Sequence, residues 1–121
     1  MKNILLVEDD NLLSGSMSGS LERAGYRVEV SGNGTEALKL ALKNHPDIIL
    51  LDIMLPGIGG LEVLKKLRAN DWGKFVPVVI LSNIDTDEDI MQAVKQTAQA
   101  YLIKANTSMQ TVLETIEQLL K

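Results

Sequence analysis

Three short stretches of this chain contain nothing but large apolar residues: ILLV at 4–7, IILL at 48–51 and VVIL at 78–81. A strand with one wet face alternates apolar with polar side chains, so an unbroken run has no face to give to water. Such runs specify strands covered by helices on both sides, as in a parallel sheet. Weaker runs, RVEV at 27–30 and YLI at 101–103, bring the series to five.

The intervening segments carry the helical period. Leu13, Met17 and Leu21 recur every fourth residue; Ala37, Leu38, Ala41 and Leu42 form a stripe that stops at His45-Pro46; Leu61, Leu64 and Leu67 form a third. A fourth segment opens with Asp85, Thr86, Asp87 and Glu88, acids suited to a helix N-terminus, and carries Ile90, Met91, Val94 and Ala98. The fifth opens with Thr107-Ser108-Met109-Gln110, a capping-box pattern, and buries Val112, Leu113, Ile116 and Leu120. Strand–helix alternation of this kind implies right-handed crossovers and an α/β, doubly wound, five-stranded parallel sheet flanked by five helices.

Composition sets the outer bounds. The 121 residues suffice for one compact domain spanning 1–121, and no linker-like tract divides them. Sixteen acidic against twelve basic side chains, a net charge of −4, and no basic cluster with interleaved aromatics argue against direct nucleic-acid binding. Zero cysteines exclude a disulfide framework and thiolate metal sites. With neither a signal-peptide core nor a membrane-length apolar run, the expected location is the cytoplasm, without membrane insertion.

In a doubly wound sheet function collects at the carboxyl ends of the strands. There stand Glu8, Asp9 and Asp10 after the first strand, Asp52 after the third, Ser82 after the fourth and Lys104 after the fifth. Singly, each has an ordinary structural explanation: acids cap helices, serines end strands, lysines are solvated. Jointly they do not. In the flavodoxin-like order 2-1-3-4-5 the acidic cluster faces Asp52 across the switch point, with Ser82 and Lys104 lining the other side. Converging carboxylates repel unless a hard divalent cation neutralises them, and Mg2+ is the natural occupant. Asp52 then reads as a carboxylate nucleophile among groups that stabilise a transferring phosphoryl.

The ordered set LLVEDD, DIMLPGIGG, VVILS and YLIKA resembles the receiver domains of bacterial two-component response regulators, and the resemblance covers essentially the whole chain. It implies that Asp52 is the phosphoacceptor, that Ser82 and Lys104 bind the phosphoryl group, and that Ser82 and Tyr101 form the switch. It implies Mg2+ held by Asp9, Asp52 and the backbone carbonyl of Met54, with Glu8 acting through water. The donor would be a sensor histidine kinase or a histidine phosphotransfer protein. A downstream partner would read the face made by the fourth helical segment, the fifth strand and the last helix; a phosphorylation-dependent homodimer is a further expectation. Met54 and Ile84, two residues beyond Asp52 and Ser82, would flank the path of hydrolytic water and set the lifetime of the phosphorylated form.

The chain departs from the family pattern at three positions. Ala105 follows Lys104 where proline in a cis peptide is common, Gly59 stands where Asp is frequent, and Asn83 replaces a smaller residue and is expected to narrow access for small phosphodonors. The expected function is a phosphoacceptor signalling domain, not an enzyme, working alone or as part of a longer regulator. The alternative is a phosphorylation-independent interaction module of the same fold. A phosphatase with a second Asp two residues after the nucleophile is disfavoured by Met54. Residues 32–37 fit G-x-G-x-x-A, but an acidic strand-turn precedes them, so they read as a turn and helix start.

Overall fold

The computed structural model describes residues 1–83 and 97–121. Five parallel strands, β1 (Asn3–Val7), β2 (Arg27–Ser31), β3 (Ile48–Leu51), β4 (Val78–Ser82) and β5 (Ala100–Ile103), lie in the order β2-β1-β3-β4-β5. The α-helices among the described residues are α1 (Asn11–Arg23), α2 (Gly34–Asn44), α3 (Gly60–Ala69) and α4 (Met109–Leu119). The helical segment expected from Asp85 to Ala98 falls largely on residues 84–96, outside the described residues. Thus α4 here is the fifth helix expected from the sequence.

The apolar runs are unbroken because adjacent side chains enter two different cores. Leu5, Val7, Ile49, Leu51, Val78 and Ile80 point toward α2 and α3, joining Ala37, Ala41, Val63, Leu64 and Leu67. Their neighbours Ile4, Leu6, Ile48, Leu50, Val79 and Leu81 join Met17, Leu21, Val112 and Ile116 of α1 and α4. Polar substitution at any of these strand positions would enter one core or the other.

Two helix details differ from the periodicity reading. Leu42, counted in the α2 stripe, is 37 % exposed, because Gly34, Ala37 and Ala41 define the buried seam and Leu42 lies about 100° beyond Ala41. The cap of α4 is Ser108, one residue after Thr107: its side chain accepts the Thr111 N–H, while Thr107 Oγ1 donates to the Ile103 carbonyl at 2.7 Å. Asn33 caps α2 by accepting the Glu36 N–H at 2.8 Å, so the 32–37 glycine pattern is a helix start. At the opposite end of α2 His45 takes a left-handed φ of 48° before Pro46 and stacks on Trp72 with centroids 4.3 Å apart. Trp72 packs at the edge of the core, whereas Phe75 is 82 % exposed.

The loop after Asp52 is seated against α2 by backbone proximity. Gly34 N–H donates to the Pro56 carbonyl at 3.2 Å, and a Cβ at Gly34 would lie 1.9 Å from the Ile58 carbonyl oxygen. Gly57 turns this loop with φ of 78°, a conformation that costs glycine little. Gly34→Ala should therefore push the 53–59 loop off α2 and lower stability by about 1–3 kcal/mol. Urea unfolding checks this, and an unchanged midpoint would show that the loop yields freely.

Candidate functional site

The carboxyl ends of β1, β3 and β5 bring together three acids and one base. Beyond the strand ends the ladder continues: Glu8 N–H donates to the Ser31 carbonyl at 2.9 Å, and Asp52 N–H to the Val7 carbonyl at 3.1 Å. These bonds fix where Glu8 and Asp52 leave the sheet. Asp52 is 6 % exposed and Glu8 3 %, whereas Asp9 is exposed.

The first acidic run splits into distinct roles. Asp10 is the N-cap of α1, its Oδ1 accepting from Leu12 N–H at 3.0 Å and Leu13 N–H at 3.2 Å, so the ordinary capping explanation holds for it. Glu8 Oε2 accepts the Asp10 N–H at 3.1 Å. Glu8, Asp9 and Asp52 each present a carboxylate oxygen within 4.8 Å of the others.

Lys104 lies between two of these acids. Its ammonium donates to Glu8 Oε1 and, at 2.7 Å, to Asp52 Oδ2. The other oxygen of Asp52 accepts the Met54 N–H at 3.1 Å. Both oxygens of the buried carboxylate are thus hydrogen-bonded, which offsets the several kcal/mol that a charged, unpaired carboxylate would cost there. Burial pushes the Lys104 pKa down, but the hydrogen bonds and charges of Asp52 and Glu8 outweigh it, and the net shift is upward. The Lys104–Glu8 pair went unread in the sequence. Ninety-six positions separate its members, and no local pattern marks it.

Ser82 ends β4 and is 1 % exposed, in register with Ile103 of β5. Tyr101 is half-buried on β5, its ring against the core on the α2–α3 side. The Met54 side chain is 65 % exposed beside Asp52. Ile84 lies outside the described residues. Asn83 Oδ1 accepts the Ala105 N–H at 3.1 Å, and no cis peptide bond occurs among the described residues.

The donor set suits a hard cation. Three carboxylates and one ammonium leave the group with two formal negative charges in excess, and every candidate ligand is an oxygen, as Mg2+ requires. The cluster is of the kind typical of receiver-domain Mg2+ sites.

Comparison with known proteins agrees with this fold. Residues 4–117 match the response regulator receiver domain, and the chain belongs to that family, the phosphorylation-based signalling domains of two-component systems. It is 36 % identical over 104 residues to the transcriptional regulatory protein AfsQ1 of Streptomyces coelicolor, covering 86 % of this chain and 45 % of that protein. The BeF3-activated N-terminal receiver domain of RstA from Klebsiella pneumoniae superposes with a TM-score of 0.88 at 28 % identity, covering 98 % of both chains. The chemotaxis protein CheY4 of Vibrio cholerae superposes with a TM-score of 0.88 at 32 % identity, covering 99 % of both. The chain spans about half the length of the curated relatives it matches, 43–45 % of AfsQ1, RpaA and YkoG. Among the described residues no helix is long and apolar enough to cross a membrane.

Lys104→Met should leave Glu8 and Asp52 buried without a cation and cost about 3 kcal/mol, the low end for removing one member of a buried pair because Asp9 and Lys104 border solvent. Millimolar Mg2+ should recover more stability in this variant than in the parent, since the ion would replace the missing positive charge. Urea midpoints with and without Mg2+ read both effects; equal Mg2+ responses would contradict the charge argument.

Proposed function

We propose that Asp52 accepts a phosphoryl group from a phosphohistidine on a sensor histidine kinase or histidine phosphotransfer protein, and that the phosphoaspartate is the signal. One observation carries this reading: a strand-end carboxylate is held by Lys104 and the Met54 N–H in the middle of an acidic, oxygen-only cluster. In the transfer an Asp52 oxygen bonds to phosphorus, the P–N bond to the donor imidazole breaks, and its electron pair returns to the ring nitrogen. Mg2+, when bound, supplies positive charge for the phosphoryl oxygens. Asp9, Asp52 and the Met54 carbonyl would hold it, with Glu8 acting through water.

The remaining residues act on the product. The Lys104 ammonium, now on Asp52 Oδ2, would follow the added negative charge onto a phosphoryl oxygen. The Ser82 hydroxyl would donate to another, drawing its loop inward, and Tyr101 would pack into the space this vacates. The altered face, carried by β5 and α4 among the described residues, is where a downstream partner or a second phosphorylated copy would dock. We read the chain, residues 1–121, as a single receiver domain, acting alone or within a longer regulator.

With Mg2+ and either phosphoramidate or a phosphorylated histidine phosphotransfer protein, the parent should gain one phosphate by mass and Asp52→Asn none. Labelling of Asp52→Asn would overturn the assignment. Failure of the parent to label with every donor would instead support the phosphorylation-independent module.

The phosphorylated form should be long-lived, because the apolar Met54 and Ile84 neither orient nor activate water. Replacing Met54 with Asn and Ile84 with Glu should speed dephosphorylation about tenfold, or about 1.4 kcal/mol of barrier. Decay of the phosphoprotein after donor removal, at constant Mg2+, is the measurement. A double variant that decays no faster than the parent would place the water path elsewhere.

A further inference from the structure

The residue after Ser82 and the residue after Lys104 are joined directly. Asn83 Oδ1 accepts the Ala105 N–H at 3.1 Å, linking positions 22 residues apart. The backbone ladder between β4 and β5 ends on the Ser82–Ile103 pair, so this bond forms just past the end of the sheet through a side chain.

Its effect falls on the Lys104 turn. Residues Lys104–Asn106 form a single 3-10 turn, and Ile103 at its cap position offers no side-chain hydrogen bond. The leading N–H groups of so short a turn have no partner within it. Asn83 supplies one from the neighbouring strand end, capping the turn in trans. At the other end Thr107 Oγ1 donates to the Ile103 carbonyl at 2.7 Å. The turn is therefore held on both sides of the Lys104 backbone.

That matters because an ammonium on a four-carbon stem has many conformations, and two short contacts at its tip require a fixed base. Lys104 reaches both Glu8 and Asp52 from this turn. The bond also requires residue 105 to possess an N–H, which alanine has and proline lacks.

We propose that Asn83 is the positioning residue for Lys104: by capping the Lys104–Asn106 turn from the end of β4, it aims the ammonium at Asp52 and Glu8 and ties the Ser82 loop to the Lys104 turn. The functional weight of the link rests on the role proposed above for Lys104, but its test needs no phosphoryl donor and so fails or succeeds separately from the phosphoacceptor assignment.

The test uses Asn83→Leu, similar in shape but without an acceptor, and Asn83→Asp, which keeps one. Asn83 is exposed, so both variants should fold, with unchanged exchange at the core amide of Ile49 as the check. In Asn83→Leu the Ala105 amide should exchange at least tenfold faster, and the Lys104 side-chain ammonium signal in nitrogen-15 spectra should weaken through faster proton exchange. Asn83→Asp should restore both. Unchanged Ala105 exchange in Asn83→Leu would show that the bond does not protect the turn. Faster Ala105 exchange with an unaltered ammonium signal would show that it does not position Lys104, and absence of rescue by Asn83→Asp would show that the acceptor is not the cause. Any of these results overturns the proposal.

Discussion

The contact of the Lys104 ammonium with both Asp52 and Glu8 is the interaction on which the site depends. Two buried carboxylates at the ends of adjacent strands repel by about 4 kcal/mol at 4 Å separation and an effective dielectric of about 20. One ammonium shared between them replaces that repulsion with two charge-assisted hydrogen bonds. It also makes the site a joint property of β1, β3 and β5, since its members lie 52 and 96 residues from Lys104 in the chain. The same ammonium takes up only part of the negative charge. The excess left with Asp9 at the solvent edge is what makes a divalent cation chemically apt.

The sheet delivers these groups with little freedom. β1 and β3 are adjacent and in register, Val7 beside Leu51, so the next residues, Glu8 and Asp52, emerge side by side. Backbone bonds beyond the ladder hold both of them, and the seated 53–59 loop carries the Met54 N–H to Asp52 Oδ1. Lys104 differs in kind. It reaches in on a long stem from a one-turn helix beyond β5, and its aim relies on hydrogen bonds around that turn. The rigid members and the adjustable member therefore sit just beyond the ends of different strands, so that under the function proposed above new charge on one carboxylate would redirect a cation without disturbing the fold.

Much of this was legible in the sequence because the signals are local. Unbroken apolar runs identified β1, β3 and β4, since only strands covered on both faces tolerate them. The 32–37 segment read as a turn and helix start by the same local logic, and Asn33 within it caps α2. The misreadings were local competitions decided by small margins: Ser108 rather than Thr107 caps α4, and Leu42 falls outside a seam made of small residues. Periodicity weighs leucine above alanine, whereas the close approach of α2 to its neighbours selects the smaller side chain.

The sequence by itself determined which residues form the strands and which polar groups stand at their ends, because alternation, capping and residue chemistry act within a few positions. Only the tertiary structure decided how those groups pair. It separated Asp10, a helix cap, from Glu8, a buried partner of lysine, and it joined Asn83 to Ala105. Such choices depend on strand order, register and the direction of side chains converging from distant segments. A hydrogen bond or ion pair is set by ångström-scale distance and angle, and no spacing along the chain encodes that distance between residues brought together by the sheet.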